Sequence, residues 1–527
     1  MRFKRMATFA VALGIAVVTA FGAAQSARQS TLVIGGDWGD LLTIDPGVSY
    51  EFSGTIVIDN IYERLVKFDG ADLSQVVPGL AESWEIAPRD GGGTSITFHL
   101  REANFSTGRP VKASDVVFSF DRAILRDGPS AFLFTDVAGM EVGSTVAVDD
   151  RTVRLDLPAG VNPSIVLNLL TFNIGGVMDQ AAVEPNFEDG DYGQNWLNDH
   201  SAGSGPYMLE RWDRSAQVVL VANPEYRAPG PITRVIMRYM QESNAQRTAL
   251  ESGEIDIAWD FTPEAFKAAA SNPDLKTYNT DTFQMTYLGM NSGEGAKFAD
   301  NRVRDAVRYA VDQQAIIDAL LLGGARRMQT IVPAGLLGAD THIYYERDVE
   351  KAKALLAEAG ATGLTVEFLV STGACGGGIP CADLAAKIQS DLAEAGITAN
   401  IKATVDSELY TIYRAQKAEL VLAAWSPDYP DPDGNATPLS SYAAKSIAWR
   451  NVWDNAEAAA LAAEAATTID VAKRTELYAQ LTRLVATEGP YEMLYQPFKP
   501  IVTSAKVEGF ERSAGGDVEF DRISKLP

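Results

Sequence analysis

Residues 364–403 read LTVEFLVSTGACGGGIPCADLAAKIQSDLAEAGITANIKA, and this stretch decides the fold class of the chain. Leu364–Val370 is a short apolar run that predicts a buried strand. Asp383–Ala395 carries apolar residues at helical spacing and stops at Gly396, which is typical of a helix C-terminus. Ile397–Ala403 predicts a second strand. Strand, helix and strand in this order indicate a right-handed crossover between parallel strands, so we expect an α/β protein.

The same alternation of patterns continues on both sides of this unit. Short apolar or alternating runs predict further strands at Thr31–Gly35, Ser95–Arg101, Ile255–Ala258 and Glu419–Ala424. Helical spacing predicts helices from a Ser114 cap to Leu125 and over Asp300–Leu322, Val349–Ala359, Ala456–Thr468 and Lys473–Glu488. Apolar periodicity therefore indicates α/β structure along most of the chain.

Length and charge exclude several classes of protein. The chain has 527 residues and, with 45 Lys+Arg against 69 Asp+Glu, a formal charge of −24. At about 150 residues per domain, this length is enough for several structural units. The acidic balance disfavours nucleic-acid binding, which needs a basic face. Only three histidines are present, so imidazole catalysis and multi-histidine metal sites are disfavoured as well.

The first 27 residues have the pattern of a secretory signal peptide. Arg2, Lys4 and Arg5 precede an uncharged apolar stretch, and small residues follow near positions 24–27, where we expect cleavage. An uncleaved membrane anchor is the alternative, because the apolar stretch could just span a bilayer. The pattern favours an exported, soluble mature protein.

The chain contains two cysteines, Cys375 and Cys381. In an oxidising compartment we expect them to form a disulfide that shapes the loop between them. A metal site is the alternative, but no histidine or third cysteine lies nearby in the sequence to complete a set of four ligands. The GxSxG, HExxH, Walker A and GxGxxG motifs are also missing, so the common hydrolase and nucleotide-binding classes lose their usual support.

A series of short motifs runs in order through most of the chain. They are PGLAESW at 78–84, FHLR at 98–101, FSTGRPV at 105–111, ASDVVFSF at 113–120, GSGPY at 203–207, DNRVRDA at 300–306 and KAKALLAEAG at 351–360. In this order and spacing the chain resembles the family 5 extracellular solute-binding proteins of ABC importers, which include peptide and nickel binders.

The resemblance implies a large, type II-like periplasmic-binding-protein fold with two lobes and an extra domain inserted in the first. Lobe I would combine residues 28–60, 201–283 and 487–527, with the extra domain at 61–200 and lobe III at 284–486. The two crossing segments between the lobes are expected near Phe283–Asn291 and Thr482–Pro490. Such proteins work by hinge closure over a ligand.

The candidate ligand residues lie in loops that follow predicted strands. The resemblance matches Asp428, in the Trp425–Asp428 motif, to the aspartate that binds a peptide's α-ammonium, and Trp425 and Tyr429 lie in the same loop. The alternative is a proline-rich turn whose aspartates cap backbone amides, and Asp431 and Asp433 could be structural or bind Ca²⁺.

Trp38, Trp259 and Asp260 are further candidates, because each follows a predicted strand. We expect Trp38, between glycines and aspartates, to be exposed for stacking on a ligand, whereas Trp259 could instead pack at the hinge. The cysteine loop could present backbone amides to an anionic group, or be a rigid loop without ligand contact. It lacks the arginine of dipeptide-selective relatives, so strict dipeptide selectivity is not expected.

The sequence predicts a monomeric periplasmic receptor that delivers oligopeptides or peptide-like amines to the membrane permease of an ABC transporter. It predicts no enzymatic activity, no cofactor and no metal, since His200 and His342 have no clustered partner for nickel. The first alternative is an oligosaccharide or opine as ligand. The second is a secreted glycoside hydrolase that uses Asp428 and Asp431 as its paired acids.

Overall fold

Three large β-sheets organise residues 28–527, the part of the chain that the computed structural model describes. They have seven, six and four strands, and helices pack around them. The α/β class predicted from the sequence is confirmed, as are the strand, helix and parallel strand predicted within 364–403. The predicted signal peptide, residues 1–27, lies outside the described residues.

The seven-stranded sheet forms the core of the first lobe. Its spatial order is Leu275–Thr280, Lys499–Ser504, Ile257–Ala258, Thr31–Gly36, Arg234–Tyr239, Gln217–Ala222 and Tyr207–Asp213. Thr31–Gly36 pairs in parallel with both of its neighbours, so the loops after these strands lie at one edge of the sheet. The helices of this lobe are Phe52–Ile61, Ser243–Glu251 and Pro263–Ala269.

The six-stranded sheet forms the core of the other lobe. Its spatial order is Ala325–Arg327, Tyr491–Pro497, Met285–Met290, Leu420–Trp425, Thr365–Ser371 and Thr398–Thr404. Successive side chains of a strand point to opposite faces of the sheet, and each face packs into a separate hydrophobic core. Leu288 lies in the core on one face and Tyr287 in the core on the other. Its helices are Asn301–Ala310, Gln313–Ala319, Val349–Glu358, Cys381–Glu394, Asp406–Arg414, Asp433–Ser440, Ile447–Arg450, Ala456–Thr467 and Val471–Glu488.

The four-stranded sheet belongs to the inserted domain. Its order is Ala81–Pro88, Thr94–Leu100, Thr152–Leu157 and Thr145–Ala147, and a separate hairpin joins Val66–Asp69 to Asp72–Pro78. The helices of this domain are Ala113–Arg126, Pro163–Leu169, Gln180–Val183 and Gln194–Leu197. The alternating strand predicted at Ser95–Arg101 is observed at Thr94–Leu100, and Ile96, Phe98 and Leu100 are all buried as predicted.

Two predicted helix boundaries are wrong. Ser114 does not cap its helix; Lys112 holds the cap position, and its backbone N–H donates to Asp115 Oδ2 at 2.9 Å. The continuous helix predicted for Asp300–Leu322 is two helices, because Val311 leaves the helical conformation and Asp312 caps the second helix through the N–H of Ala315. Apolar periodicity continues across this break, so the pattern alone does not reveal it.

The chain crosses between the seven-stranded and six-stranded sheets at two short segments. Residues 281–284 connect strand Leu275–Thr280 to strand Met285–Met290, and Phe498 alone connects Tyr491–Pro497 to Lys499–Ser504. Strand Tyr491–Pro497 therefore belongs to the six-stranded sheet, so the sheet boundary does not coincide with the predicted lobe boundary at 487. The observed crossings, at 281–284 and Phe498, also differ in position along the chain from the predicted ones, Phe283–Asn291 and Thr482–Pro490. No helix within 28–527 is long and apolar enough to cross a membrane.

Candidate ligand-binding site

The loop after strand Leu420–Trp425 contains three aspartates whose surroundings differ sharply. Asp431 forms a buried, bidentate ion pair with Arg474, with N–O distances of 2.9 and 2.7 Å. Asp433 accepts hydrogen bonds from the hydroxyls of Tyr429 at 3.0 Å and Thr437 at 2.6 Å. Both carboxylates are thus used to hold the loop, as the structural alternative expected.

Among the described residues, Asp428 has fewer partners than Asp431 or Asp433. Its Oδ1 accepts a hydrogen bond from the hydroxyl of Tyr50, and within 28–527 it has no ion pair with a lysine, arginine or histidine. Burial raises the pKa of its carboxyl, although the Tyr50 hydrogen bond opposes this shift. A desolvated carboxylate without a cation is destabilised, so the ammonium group of a ligand would be a favourable partner.

Tyr50 brings the other lobe and the inserted domain to this carboxylate. It lies 378 residues before Asp428, in the loop that precedes helix Phe52–Ile61 of the first lobe. Its ring contacts Phe132 and Phe172 of the inserted domain edge to face, with both centroid distances at 6.2 Å. No local sequence pattern marks Tyr50, because its role depends on a contact between distant segments.

Trp425 and Tyr429 hold the loop from either side of Asp428. Trp425 is half-buried and its Nε1 donates to the carbonyl of Gly434 at 3.0 Å. Tyr429 is 5% exposed and packs into the core of the inserted domain. Their contacts orient the loop, and the prediction that they also touch the ligand stays a prediction.

Trp38 and Trp259 meet at the edge of the seven-stranded sheet, because they follow adjacent parallel strands. Their ring centroids are 5.7 Å apart, and Trp38 Nε1 donates to the carbonyl of Arg238 at 2.8 Å. Each is 6% exposed and lies in the core of the first lobe. The expectation that Trp38 is an exposed loop residue is wrong, since the rings of Trp259 and its neighbours provide a core for it to fill.

Asp260 is occupied by interactions within its own lobe. It forms an ion pair with Lys499, and its Oδ2 accepts the N–H of Asp37 at 2.7 Å. These contacts tie together the two strand-end loops and the strand that begins beside the Phe498 crossing. Asp260 therefore differs from Asp428 in already having a cationic partner.

The two cysteines form the expected disulfide, with 4.9 Å between their Cα atoms. It closes a small hairpin of Ala374–Cys375 with Ile379–Pro380, directly before helix Cys381–Glu394. The tip of the hairpin faces the first lobe, since a Cβ at Gly378 would lie 3.7 Å from the carbonyl oxygen of Phe261. The loop thus lies beside the boundary between the lobes, at a helix N-terminus as predicted.

The surroundings of the loop aspartates and of the histidines do not support the glycosidase and nickel alternatives. A glycosidase needs two carboxyls that act on one substrate, but Asp431 is held by Arg474. His200 stacks on Trp196 with centroids 4.6 Å apart, and His342 contacts Tyr344 in another lobe. Among the described residues, no three His, Cys, Asp or Glu side chains form a group that could hold a metal.

Comparison with known proteins supports the two-lobed architecture. The family model for bacterial extracellular solute-binding proteins, family 5, matches residues 75–446. The chain is 27% identical to the probable D,D-dipeptide-binding periplasmic protein of Escherichia coli, over 94% of this chain and 95% of that protein. It is 29% identical to di/tripeptide-binding protein 4 of Pseudomonas aeruginosa, over 90% and 92% of the two chains.

Two solved structures extend the comparison. HbpA2 from Haemophilus parasuis superposes with a TM-score of 0.82 at 25% identity, covering 94% of this chain and all of that one. A binding protein of A. tumefaciens, solved with mannopinic acid, has a TM-score of 0.76 at 25% identity and covers 95% of this chain and all of that one.

Proposed function

The chain belongs to the bacterial extracellular solute-binding proteins of family 5, and from this premise we propose that it is a periplasmic receptor for oligopeptides or peptide-like amines. It would deliver its ligand to the membrane permease of an ABC transporter and carry out no chemistry of its own. The names of the peptide-binding relatives support this ligand class.

The environment of Asp428 carries the proposal. A peptide presents an α-ammonium group, and Asp428 is a desolvated carboxylate without a cation at the meeting point of both lobes and the inserted domain. A charge-assisted hydrogen bond between these groups would replace the one that Tyr50 now donates. Trp425 and Tyr429 would keep the carboxylate in place, and Trp38, Trp259 and Asp260 would hold the strand-end loops of the first lobe in position.

Capture would use hinge motion about the two crossings. Residues 281–284 and Phe498 are short connections between well-packed sheets, which is where a hinge concentrates its backbone rotation. A ligand that touches both lobes favours the closed state by its differential affinity for that state. The cysteine hairpin, facing Phe261 across the lobe boundary, would contribute to the closed form.

An opine is the second candidate ligand. The likeness to the structure solved with mannopinic acid supports it, and the missing arginine in the cysteine loop favours a ligand other than a strict dipeptide. The two lobes and the hinge would work in the same way for either ligand. The difference lies in which groups of the ligand meet Asp428 and the cysteine loop.

Native mass spectrometry of the purified mature protein tests the ligand class directly. We expect a co-purified peptide, released on denaturation and identified by fragmentation. Calorimetry should then show that the identified peptide binds and that its N-acetylated form does not, because acetylation removes the ammonium. Tight binding of the acetylated peptide, or an opine as the co-purified compound, would contradict the peptide proposal.

A further inference from the structure

The inserted domain contains a groove that the proposed peptide site does not use. It lies between the outer face of helix Ala113–Arg126 and two segments, residues 143–147 and 180–192, and has a volume of about 680 Å³. This volume is within the usual range for small-molecule sites. The side chains that matter for recognition are Val117, Phe118, Asp121, Leu125, Phe187 and Tyr192.

Aromatic rings form one wall of this groove. Phe118 and Phe187 are stacked with centroids 6.1 Å apart, and Tyr192 meets Phe187 edge to face at 5.6 Å. Phe187 is 37% exposed and Leu125 is 49% exposed, so apolar surface remains open to a ligand. Ring faces attract both apolar groups and cations.

Two carboxylates, Asp121 and Glu184, line the groove. Asp121 accepts only the backbone N–H of Gly143, at 3.1 Å, and Glu184 accepts from the amide of Gln180 at 3.0 Å. Neither carboxylate has an ion pair in the part of the chain that the structure describes. Burial raises the pKa of Asp121, although the hydrogen bond from Gly143 opposes this shift.

Among the described residues that line the groove, the one cationic side chain, Arg122, is committed elsewhere. Arg122 forms a buried bidentate ion pair with Asp45, at 2.9 and 2.6 Å, and its Nε donates to the carbonyl of Tyr192 at 2.6 Å. This last contact holds Tyr192 in a left-handed conformation with φ 54°. The aromatic wall is therefore fixed in advance, which lowers the entropy lost on binding.

We propose that this groove is a second binding site, for a small organic amine that carries an apolar or aromatic group. The ammonium would bind the carboxylate of Asp121, with Glu184 at the rim. The apolar part would lie over Phe118 and Phe187 beside Leu125. This site is separate from Asp428, so a cationic amphiphile could be held on the inserted domain while the main site is occupied.

Titration with phenethylamine, by calorimetry and by saturation-transfer NMR, tests the proposal. The Asp428→Asn protein is used in parallel, so that binding at the main site does not mask the groove. We expect saturable binding in both proteins and weaker binding of phenethyl alcohol, which lacks the charge. Absence of saturable binding in Asp428→Asn, or equal binding of the alcohol, would overturn the proposal.

Variants of the groove locate the binding. Asp121→Asn keeps the oxygen that accepts from Gly143 and should weaken phenethylamine binding at least about tenfold. Phe187→Ala should weaken it too, and Asp150→Asn, an aspartate of the same domain whose side chain is 78% exposed, should not. Unchanged affinity in Asp121→Asn would overturn the assignment. Peptide binding should be unaffected by Asp121→Asn, so the two proposals can fail independently.

Discussion

Asp428 and Asp431 are three positions apart in one loop, yet replacing each with Asn should have a different consequence. The surroundings of Asp428 predict an effect on ligand binding, and those of Asp431 an effect on stability. Asp428→Asn removes a carboxylate that has no ion pair within residues 28–527, and should weaken peptide binding by about 1.5–3 kcal/mol. The measurement is calorimetry with the co-purified peptide, and Asp406→Asn on the exposed surface is the matched control. Unchanged affinity would remove Asp428 from the site.

The same carboxylate should also give peptide binding a pH dependence. Since burial raises the pKa of Asp428, the ammonium loses its ionised partner as pH falls through that elevated pKa. Affinity should therefore decline at a higher pH than an exposed aspartate would allow, and Asp428→Asn should abolish the decline.

Asp431→Asn should affect stability first. It leaves the buried guanidinium of Arg474 without its ion pair, which typically lowers the free energy of unfolding by about 3–5 kcal/mol. Urea unfolding of Asp431→Asn and Asp428→Asn side by side is the measurement. Equal stability of the two variants would contradict the division of roles within the loop.

At the scale of elements, strand Tyr491–Pro497 contains a buried titratable group. Burial raises the pKa of Glu492 to about 8, although Arg308 and Arg327 oppose the shift. Its carboxyl is hydrogen-bonded by the amide of Gln313 at 2.7 Å. The folded state thus retains a proton that the unfolded chain has already released at neutral pH.

Stability should therefore fall as pH rises between the unfolded pKa, about 4.5, and the folded pKa, about 8. The decrease from this group is at most about 1.4 kcal/mol per pH unit. Glu492→Gln should remove it, as measured by urea unfolding at several pH values. The same slope in Glu492→Gln and in the parent would assign the pH dependence to other groups.

The cysteine hairpin offers a second prediction at this scale. Gly377 has φ +85°, and a Cβ there would lie 2.4 Å from Leu321 Cδ2. Gly360, with φ +67° after helix Val349–Glu358, would meet nothing within 4 Å. Both alanine variants suffer backbone strain of about 1–2 kcal/mol, and Gly377→Ala should lose about 1–3 kcal/mol more through overpacking. Equal losses of stability in the two variants, measured by thermal or urea unfolding, would show that the hairpin accommodates the added methyl group without overpacking.

The elements also show which local predictions succeed. Gly360 and Gly396 have positive φ and end their helices as predicted, because a glycine at that position is a local signal. Apolar periodicity does not predict the break at Val311–Asp312, because it continues across the break and only the cap at Asp312 marks the second helix. The prediction that Ser114 caps its helix is wrong, because the helix begins earlier, with Lys112 at the cap position and the carboxylate of Asp115 accepting its backbone N–H.

For the whole molecule, the hydrogen bond from Tyr50 to Asp428 is one of the contacts that join the two lobes. Removing one such bond shifts the equilibrium between the closed and open arrangements of the lobes by about 0.5–1.5 kcal/mol towards the open one. Tyr50→Phe should therefore increase the radius of gyration of the ligand-free protein, measured by small-angle X-ray scattering. Tyr344→Phe, which removes a bond within one lobe, is the control. Equal radii for all three proteins would show that Tyr50 does not hold the lobes together.

The sequence by itself determined the α/β class, the strands and helices of the clearest apolar patterns, and the family, because these depend on periodicity, end signals and motif order that neighbouring residues carry. It also placed Trp38, Trp259 and Asp428 at strand ends. Only the tertiary structure decided that Arg474 holds Asp431, that Tyr50 meets Asp428, and that Trp38 is buried. These contacts join residues up to 378 positions apart, and the lobe that supplies each partner is formed by segments from distant parts of the chain. Local patterns cannot specify such pairings, because burial and charge compensation arise only once the sheets have packed.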